Sequence, residues 1–106
     1  DASKALTANR QALLNDPRDP VIGDPKAPIT VVEFFDYRCG YCKAVAPEVL
    51  ALVQANKDVR LVLKEMPILS PQSETAARVA LAAAAQGKYA AVHRALMSER
   101  ALDDAA

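Results

Sequence analysis

The alternation of apolar and polar residues predicts a strand, a helix and a second strand in succession. Residues 29–35 form a run of β-branched and aromatic side chains that only Thr30 and Glu33 interrupt. Such a run is typical of a buried strand in a parallel sheet. Apolar residues then recur at helical spacing over residues 40–56, and residues 58–65 alternate as a second strand would. Together these elements predict a right-handed βαβ unit.

Residues 1–28 are predicted to form an N-terminal helix followed by a proline-rich linker. The helix is expected over residues 3–15 with Ser3 as its N-cap. It is too short to be stable alone, so its apolar stripe must pack on something. Because the stripe holds few large side chains, we favour docking onto its own domain over an oligomerisation arm. The linker contains a candidate short edge strand, Val21–Ile22.

Two further helices are predicted after the second strand. Ser70 followed by Pro71 marks the start of a helix that runs to residue 86, with Gly87 as its C-terminal stop. The last helix is expected over residues 89–100. The whole pattern is that of an α/β domain with a βαβ unit, an N-terminal helix and two C-terminal helices.

Cys39 and Cys42 lie where the first strand gives way to the helix. Cys39 would lie at the helix N-terminus, where backbone N–H groups lack partners and the dipole is positive. Both features favour the thiolate, which is the nucleophile. Lowering a thiol pKa by two units needs ~2.7 kcal/mol, and the dipole supplies about 0.3–1 kcal/mol. Hydrogen bonds from the N–H groups of Tyr41 and Cys42 must therefore contribute the remainder.

These positions predict different roles for the two thiols. Cys39 is expected to attack, and Cys42, one turn further and more buried, to stay protonated until it resolves a mixed disulfide. A structural disulfide is a weaker interpretation, because so short a loop removes only roughly 2 kcal/mol of chain entropy. A zinc site needs four ligands, whereas the chain has two cysteines and one histidine. We therefore expect redox chemistry with no bound metal and no cofactor.

Glu33 is the one charged residue within the first strand. On an alternating pattern it shares a face with Val31 and Phe35, in apolar surroundings. Burial would raise its pKa toward the range useful for proton transfer. The alternative is a carboxylate at the sheet margin that reaches water, and we favour the functional role. Lys43 is expected to be a solvated side chain rather than a catalyst, although its charge would favour a nearby thiolate.

Length and composition exclude several classes of function. With 106 residues the chain forms one small domain. A formal net charge of zero gives no indication of a nucleic-acid or anionic-membrane partner. No apolar run approaches the ~20 residues of a membrane span, so we do not expect a membrane-embedded protein.

The segment VVEFFDYRCGYCKAVAPEV, residues 31–49, resembles the active site of the thioredoxin superfamily, most closely its DsbA-like periplasmic branch. KEMPIL and QGKY further along resemble the same branch. The motif is similar to that of the isomerase DsbC, and the layout to that of relatives linked to suppression of copper sensitivity. The matching positions are Glu33, Cys39, Gly40, Tyr41, Cys42, Lys43 and Pro47.

This resemblance implies a thiol–disulfide oxidoreductase that acts on cysteine-containing proteins in the periplasm. It implies a membrane or soluble redox partner that recycles the dithiol. In the family, the position of Glu33 carries a buried acid that assists deprotonation of the second cysteine. Whether the chain oxidises or isomerises is left open, because the residues between the cysteines do not fix the direction.

The family's cis-proline loop has no counterpart in this sequence, because none of the seven prolines lies beyond residue 71. We therefore expect residues 29–106 to be the N-terminal portion of a thioredoxin-like domain. A second chain or a homo-oligomer would then complete a sheet that is otherwise thin and open at one side.

Two functions from other classes are kept as alternatives. Cys39 and Cys42 would hold Cu(I) in a copper-tolerance module, because soft thiolates suit that metal. In a redox-inert interaction module, Cys39 would titrate like a free thiol, near ~8.5. Met66, His93 and Met97 are expected to be core residues ahead of copper ligands.

Overall fold

The computed structural model describes residues 1–99 and contains a small mixed sheet packed with helices. In chain order the elements are α1 (Ala2–Ala8), α2 (Arg10–Leu14), β1 (Val21–Ile22), β2 (Ile29–Phe35), α3 (Gly40–Ala55), β3 (Val59–Glu65), α4 (Pro71–Ala84) and α5 (Tyr89–Ser98). The predicted α/β architecture is confirmed, with the βαβ unit formed by β2, α3 and β3. The predicted end of the last helix, residue 100, lies outside the described residues.

The sheet has the strand order β1-β3-β2. Strands β2 and β3 run parallel, with Ile29 opposite Val59 and Phe35 opposite Glu65. Strand β1 pairs antiparallel with β3, which confirms the predicted edge strand. Within residues 1–99, β2 therefore forms one edge of the sheet. The dithiol follows its C-terminal end, where α/β sheets place their ligands.

The core lies between one face of the sheet and helices α3, α4 and α5. Phe35, Leu61 and Leu63 point to this face and are fully buried. Ala76 and Ala80 of α4 pack into the same cluster, because a methyl side chain lets a helix approach its neighbours closely. The core residues thus lie directly beneath the turn that carries the cysteines.

The predicted bounds of the N-terminal helix, residues 3–15, are wrong. The segment forms two short helices that divide at Asn9. Asp1 rather than Ser3 caps the first, because its Oδ1 accepts a hydrogen bond from the N–H of Lys4 at 2.9 Å. An aspartate two residues upstream of Ser3 provides the cap instead, since both residue types are good N-caps.

Docking of this segment is confirmed for α2 and not for α1. The side chain of Arg60 donates a hydrogen bond to the carbonyl of Leu14 at 2.9 Å, and that of Lys64 donates one to Ala12 at 2.6 Å. All residues of α1 are exposed. Arg60 and Lys64 alternate with the core-facing residues of β3, so α2 covers the opposite face of the sheet.

The predicted start of α4 at Ser70 is confirmed, whereas the helix ends at Ala84 and not at the predicted residue 86. Ser70 accepts a hydrogen bond from the N–H of Ser73 at 3.2 Å, and Gly87 takes a φ of 71° after the helix.

In the part of the chain that the structure describes, none of the helices combines the length and the apolar character needed to cross a bilayer.

Candidate dithiol active site

Cys39 is the N-cap of α3, as the sequence predicts. A turn precedes it, closed by a hydrogen bond from the N–H of Cys39 to the carbonyl of Asp36 at 3.0 Å. The Sγ of Cys39 accepts a hydrogen bond from the N–H of Cys42 at 3.2 Å. A sulfur in the position of a capping oxygen thus faces the unpaired N–H groups of the first turn.

The two thiols, both free and half-buried, differ in acidity. The pKa of Cys39 is lowered by hydrogen bonds from the Cys42 thiol and from the backbone N–H groups of Cys42 and Tyr41. The pKa of Cys42 is raised, first by burial and then by its hydrogen bond to Cys39. Cys39 is therefore the group that ionises first, and its charge opposes ionisation of Cys42.

The residues between the cysteines leave the approach to Cys39 open. A Cβ built on Gly40 would meet no atom within 4 Å among the described residues, and Tyr41 is 88% exposed. A substrate disulfide can therefore reach the sulfur without displacing core side chains. The α3 helix continues across Pro47, which lies on its exposed side.

The expectation that Lys43 is solvated is wrong. Its side chain is half-buried, and its Nζ donates a hydrogen bond to the carbonyl of Leu96 at 2.9 Å. Burial lowers the pKa of Lys43. This contact joins α3 to the last turns of α5, so Lys43 connects the active-site helix to the helical part of the domain.

Glu33 lies in the middle of β2, opposite Leu63 of β3. The residue is half-buried on the core-facing side, and burial raises the pKa of its carboxyl group. Within residues 1–99 its carboxylate takes part in no hydrogen bond to another residue. Its charge also raises the pKa of Cys42, with a smaller effect than burial or the Cys39 thiol.

A buried polar cluster, which the sequence did not predict, lies behind the turn that carries Cys39. The Tyr37 hydroxyl lies 2.7 Å from Nδ1 of His93, and the Tyr89 hydroxyl donates to Glu65 at 3.4 Å. Burial lowers the pKa of His93 to about 4 and raises that of Glu65 to about 8. His93 is thus neutral and hydrogen-bonded in the core, as expected for a structural histidine.

The two predicted core methionines differ in their surroundings. Met97 is buried, which confirms the expectation, whereas Met66 is exposed, so the expectation for Met66 is wrong. Met66 follows the end of β3 directly and lies in the segment that leads to α4. Across residues 1–99, no three histidine, cysteine or acidic side chains are grouped in a way that could hold a metal ion.

Glu65 makes folding stability depend on pH. One of its oxygens, Oε1, is buried without a hydrogen-bond partner among the described residues. Between the model-compound pKa of 4.5 and the folded pKa of about 8, the folded chain binds the extra proton. Stability due to this group therefore falls as the pH rises through that range. Between about pH 6.5 and 8 we expect the free energy of unfolding of the wild type to fall by about 1–2 kcal/mol relative to that of Glu65→Gln.

Urea unfolding of both chains at the two pH values measures this difference. About half of the unfolded His93 is protonated at pH 6.5, so His93 adds an opposite slope in this range. That slope is the same for both chains and cancels in their difference. Glu48→Gln, which removes an exposed carboxylate from α3, is the matched control and should unfold with the wild-type slope. Equal slopes for wild type and Glu65→Gln would contradict the assignment.

Solved structures with a similar fold include a protein described as a thiol–disulfide exchange protein. A thioredoxin-like oxidoreductase from Silicibacter pomeroyi DSS-3 matches with a TM-score of 0.83 and 55% identity, covering 88% of this chain and 54% of that one. The catalytic domain of Proteus mirabilis ScsC matches with a TM-score of 0.92 and 31% identity, covering 96% and 60%. The thiol–disulfide exchange protein α-DsbA2 of Wolbachia pipientis matches with a TM-score of 0.89 and 27% identity, covering 95% and 54%.

The curated relatives are much longer proteins. The Na⁺/H⁺ antiporter NhaA 3 of Salinispora tropica is 39% identical over 85 residues, which is 78% of this chain and 13% of the antiporter. The similarity concerns one segment of that protein, so the antiporter name describes the relative alone.

The family assignment follows from a match over most of the chain. A family model described as thioredoxin covers residues 15–105. The solved structures that share the fold include proteins described as oxidoreductases and as a thiol–disulfide exchange protein. The chain belongs to the thioredoxin family and is similar to its DsbA-like and ScsC-like members.

Proposed function

We propose that this chain exchanges disulfides with cysteine-containing proteins through Cys39 and Cys42. The observation that carries the proposal is the capping position of Cys39. There its sulfur accepts a hydrogen bond from the N–H of Cys42 at 3.2 Å and has a lowered pKa. A thiolate held ready at an open helix N-terminus is the nucleophile that exchange requires.

The reaction proceeds through a mixed disulfide. When the chain acts as oxidant, a substrate thiolate attacks Sγ of Cys39, the Cys39–Cys42 bond breaks, and Cys42 takes up a proton. A second substrate thiolate then attacks the substrate sulfur, and Cys39 leaves as a thiolate. The substrate loses two electrons and the dithiol gains them. The lowered pKa of Cys39 makes it a good leaving group in the second step.

Glu33 is proposed as the proton carrier for Cys42. Its carboxyl has a raised pKa, and its charge already acts on that thiol. As an acid it would protonate Cys42 when Cys42 is released, and as a base it would accept that proton when the pair is reoxidised. The positions of Gly40 and Tyr41 support this chemistry by leaving Cys39 accessible.

The direction of exchange, the compartment and the redox partner belong to the same proposal. A stabilised thiolate favours the reduced chain and hence the donation of disulfides to substrates. Such a reaction is useful where protein disulfides persist, which in bacteria is the periplasm. A membrane or soluble partner would then return the dithiol to its oxidised form.

We also propose that residues 29–106 form part of a longer thioredoxin-like domain. The chain spans 54% of the Silicibacter pomeroyi structure and 60% of the ScsC catalytic domain. Strand β2 is an edge of the sheet in the described residues, although the dithiol follows its C-terminal end. Further chain or a second copy that pairs with β2 would supply the missing side of the sheet.

Two assays of the wild-type chain test this function. Oxidation of a reduced two-cysteine peptide and reactivation of scrambled ribonuclease separate the oxidase from the isomerase activity. We expect catalysis in at least one assay and equilibration of the dithiol with a glutathione buffer. Inactivity in both assays contradicts the proposal. Stoichiometric Cu(I) retention against a chelator, together with such inactivity, would support the copper-binding alternative.

A further inference from the structure

Asp36 joins two segments of the chain beside the dithiol. It is 5% exposed, yet it carries a carboxylate. Its Oδ1 accepts a hydrogen bond from the N–H of Arg38 at 2.7 Å. Its Oδ2 accepts hydrogen bonds from the N–H groups of Ile68 at 3.0 Å and Leu69 at 2.9 Å. The backbone carbonyl of the same residue holds the N–H of Cys39, so one residue bonds to both segments.

Two exposed apolar side chains lie on the segment that Asp36 holds. Residues 66–69 connect β3 to α4, and Ile68 is 71% and Leu69 57% exposed. Neither side chain contributes to the core. The N–H groups of both residues bind Asp36, and the carbonyl of Asp36 binds the N–H of Cys39. The backbone of residues 68 and 69 therefore lies next to the turn that carries Cys39.

The charge of Asp36 opposes the chemistry of its neighbour. Burial raises the pKa of Asp36, but hydrogen bonds from Ser73 and from the backbone N–H groups outweigh burial and lower it, so the group is ionised at neutral pH. This negative charge raises the pKa of Cys39. A neutral residue would serve the thiolate better, so the carboxylate must serve another purpose.

We propose that Asp36 is a positioning residue that fixes residues 66–69 against the Cys39 turn and presents Ile68 and Leu69 to a polypeptide substrate. The inference rests on the proposed disulfide exchange. A carboxylate suits this purpose because its two oxygens can accept three N–H groups at once. An amide offers a single oxygen and leaves part of the set without an acceptor.

Asp36→Asn should therefore impair disulfide exchange with a polypeptide substrate but not with glutathione. We expect exchange with glutathione to be unchanged or faster, because the Cys39 pKa falls when the negative charge is removed. We expect KM for an apolar cysteine peptide to rise at least about tenfold, because peptide binding must then order a segment that has lost a hydrogen bond to a charged group. Ile68→Ser should raise KM for the peptide in the same direction without changing the Cys39 pKa.

Asp24→Asn is the matched control. Asp24 makes a similar turn in the linker, where its Oδ1 accepts a hydrogen bond from the N–H of Lys26 at 2.9 Å. It should leave both substrates and the Cys39 pKa unchanged. An equal loss with glutathione and with peptide in Asp36→Asn, or no change with either, overturns the inference.

Hydrogen exchange on the unmodified chain tests the same contact without a variant. The amides of Ile68 and Leu69 should be protected by at least about a hundredfold over unstructured amides, because each is bonded to a buried carboxylate. Exchange at the unstructured rate overturns the inference even if Asp36→Asn does not fold. If the wild type fails to exchange disulfides with any substrate, the proposed function is wrong. Amide protection still tests the contact of Ile68 and Leu69 with Asp36 in that case.

Discussion

Replacing Cys39 by serine should reduce disulfide exchange to the uncatalysed rate with every substrate. A serine hydroxyl at the N-cap of α3 can still accept the N–H of Cys42, so the fold should be kept. It cannot form a disulfide, however, and the attacking thiolate is lost. Oxidation of a reduced two-cysteine peptide, followed by mass spectrometry, measures the loss.

Cys42→Ser is the matched control for this variant. It retains the nucleophile and removes only the thiol that resolves the mixed disulfide. Given a one-cysteine peptide as its mixed disulfide with glutathione, this variant should accumulate a long-lived adduct, because Cys39 attacks the peptide sulfur and glutathione leaves as a thiol. The adduct has the summed mass of the variant and the free peptide less two hydrogens. Equal adduct formation by Cys39→Ser would show that the roles of the two cysteines are assigned wrongly.

Glu33→Gln should slow the resolving step by about a hundredfold, the lower range for loss of a general acid or base. The carboxylate must be ionised to accept the Cys42 proton, so in the wild type this step should slow as the pH falls through the raised pKa of Glu33. The variant should lack that inflection. Release of the mixed disulfide after rapid mixing, followed against pH, measures both effects.

In Glu33→Gln, loss of the carboxylate charge acts on the resolving rate in the opposite direction to loss of the proton carrier. A control variant separates these two effects. The charge of Glu33 raises the pKa of Cys42, so its removal alone would make Cys42 more reactive. Glu65→Gln removes another buried carboxyl from the same face of the sheet and should leave the resolving step unchanged. A resolving rate in Glu33→Gln at or above the wild-type rate would exclude a role in proton transfer.

The βαβ unit could be predicted because its signals are local in sequence. The apolar run of β2, the Ser70 cap and the position of Cys39 depend on neighbouring residues, and the structure confirms each of them. The orientation of Glu33 also followed from the two-residue period of a strand. Its proposed role in proton transfer remains a prediction.

The contacts that join distant segments could not be predicted in this way. Asp36 accepts hydrogen bonds from Ile68 and Leu69, which lie 32 and 33 positions later in the sequence. Tyr37 contacts His93, which lies 56 positions later. Lys43 looked solvated because nothing in its own helix indicates that the Leu96 carbonyl lies within reach. Such partners become visible only when the helices are packed on the sheet.

The N-terminal segment shows a second limit of local signals. Asp1 and Ser3 are both good caps, and the sequence pattern alone did not rank them. The division at Asn9 also follows no break in the apolar stripe. Small differences between competing local structures decide such boundaries, and tertiary contacts of α2 with β3 contribute to them.

Site-resolved alkylation of the reduced chain against pH measures which of the two cysteines ionises first. Hydrogen bonds from the Cys42 thiol and from the N–H groups of Cys42 and Tyr41 lower the pKa of Cys39, whereas burial raises that of Cys42. We expect the alkylation rate of Cys39 to have its pH midpoint well below ~8.5, the value for a free thiol, and that of Cys42 to have a higher midpoint. A Cys39 midpoint at or above that of a free thiol would contradict this expectation.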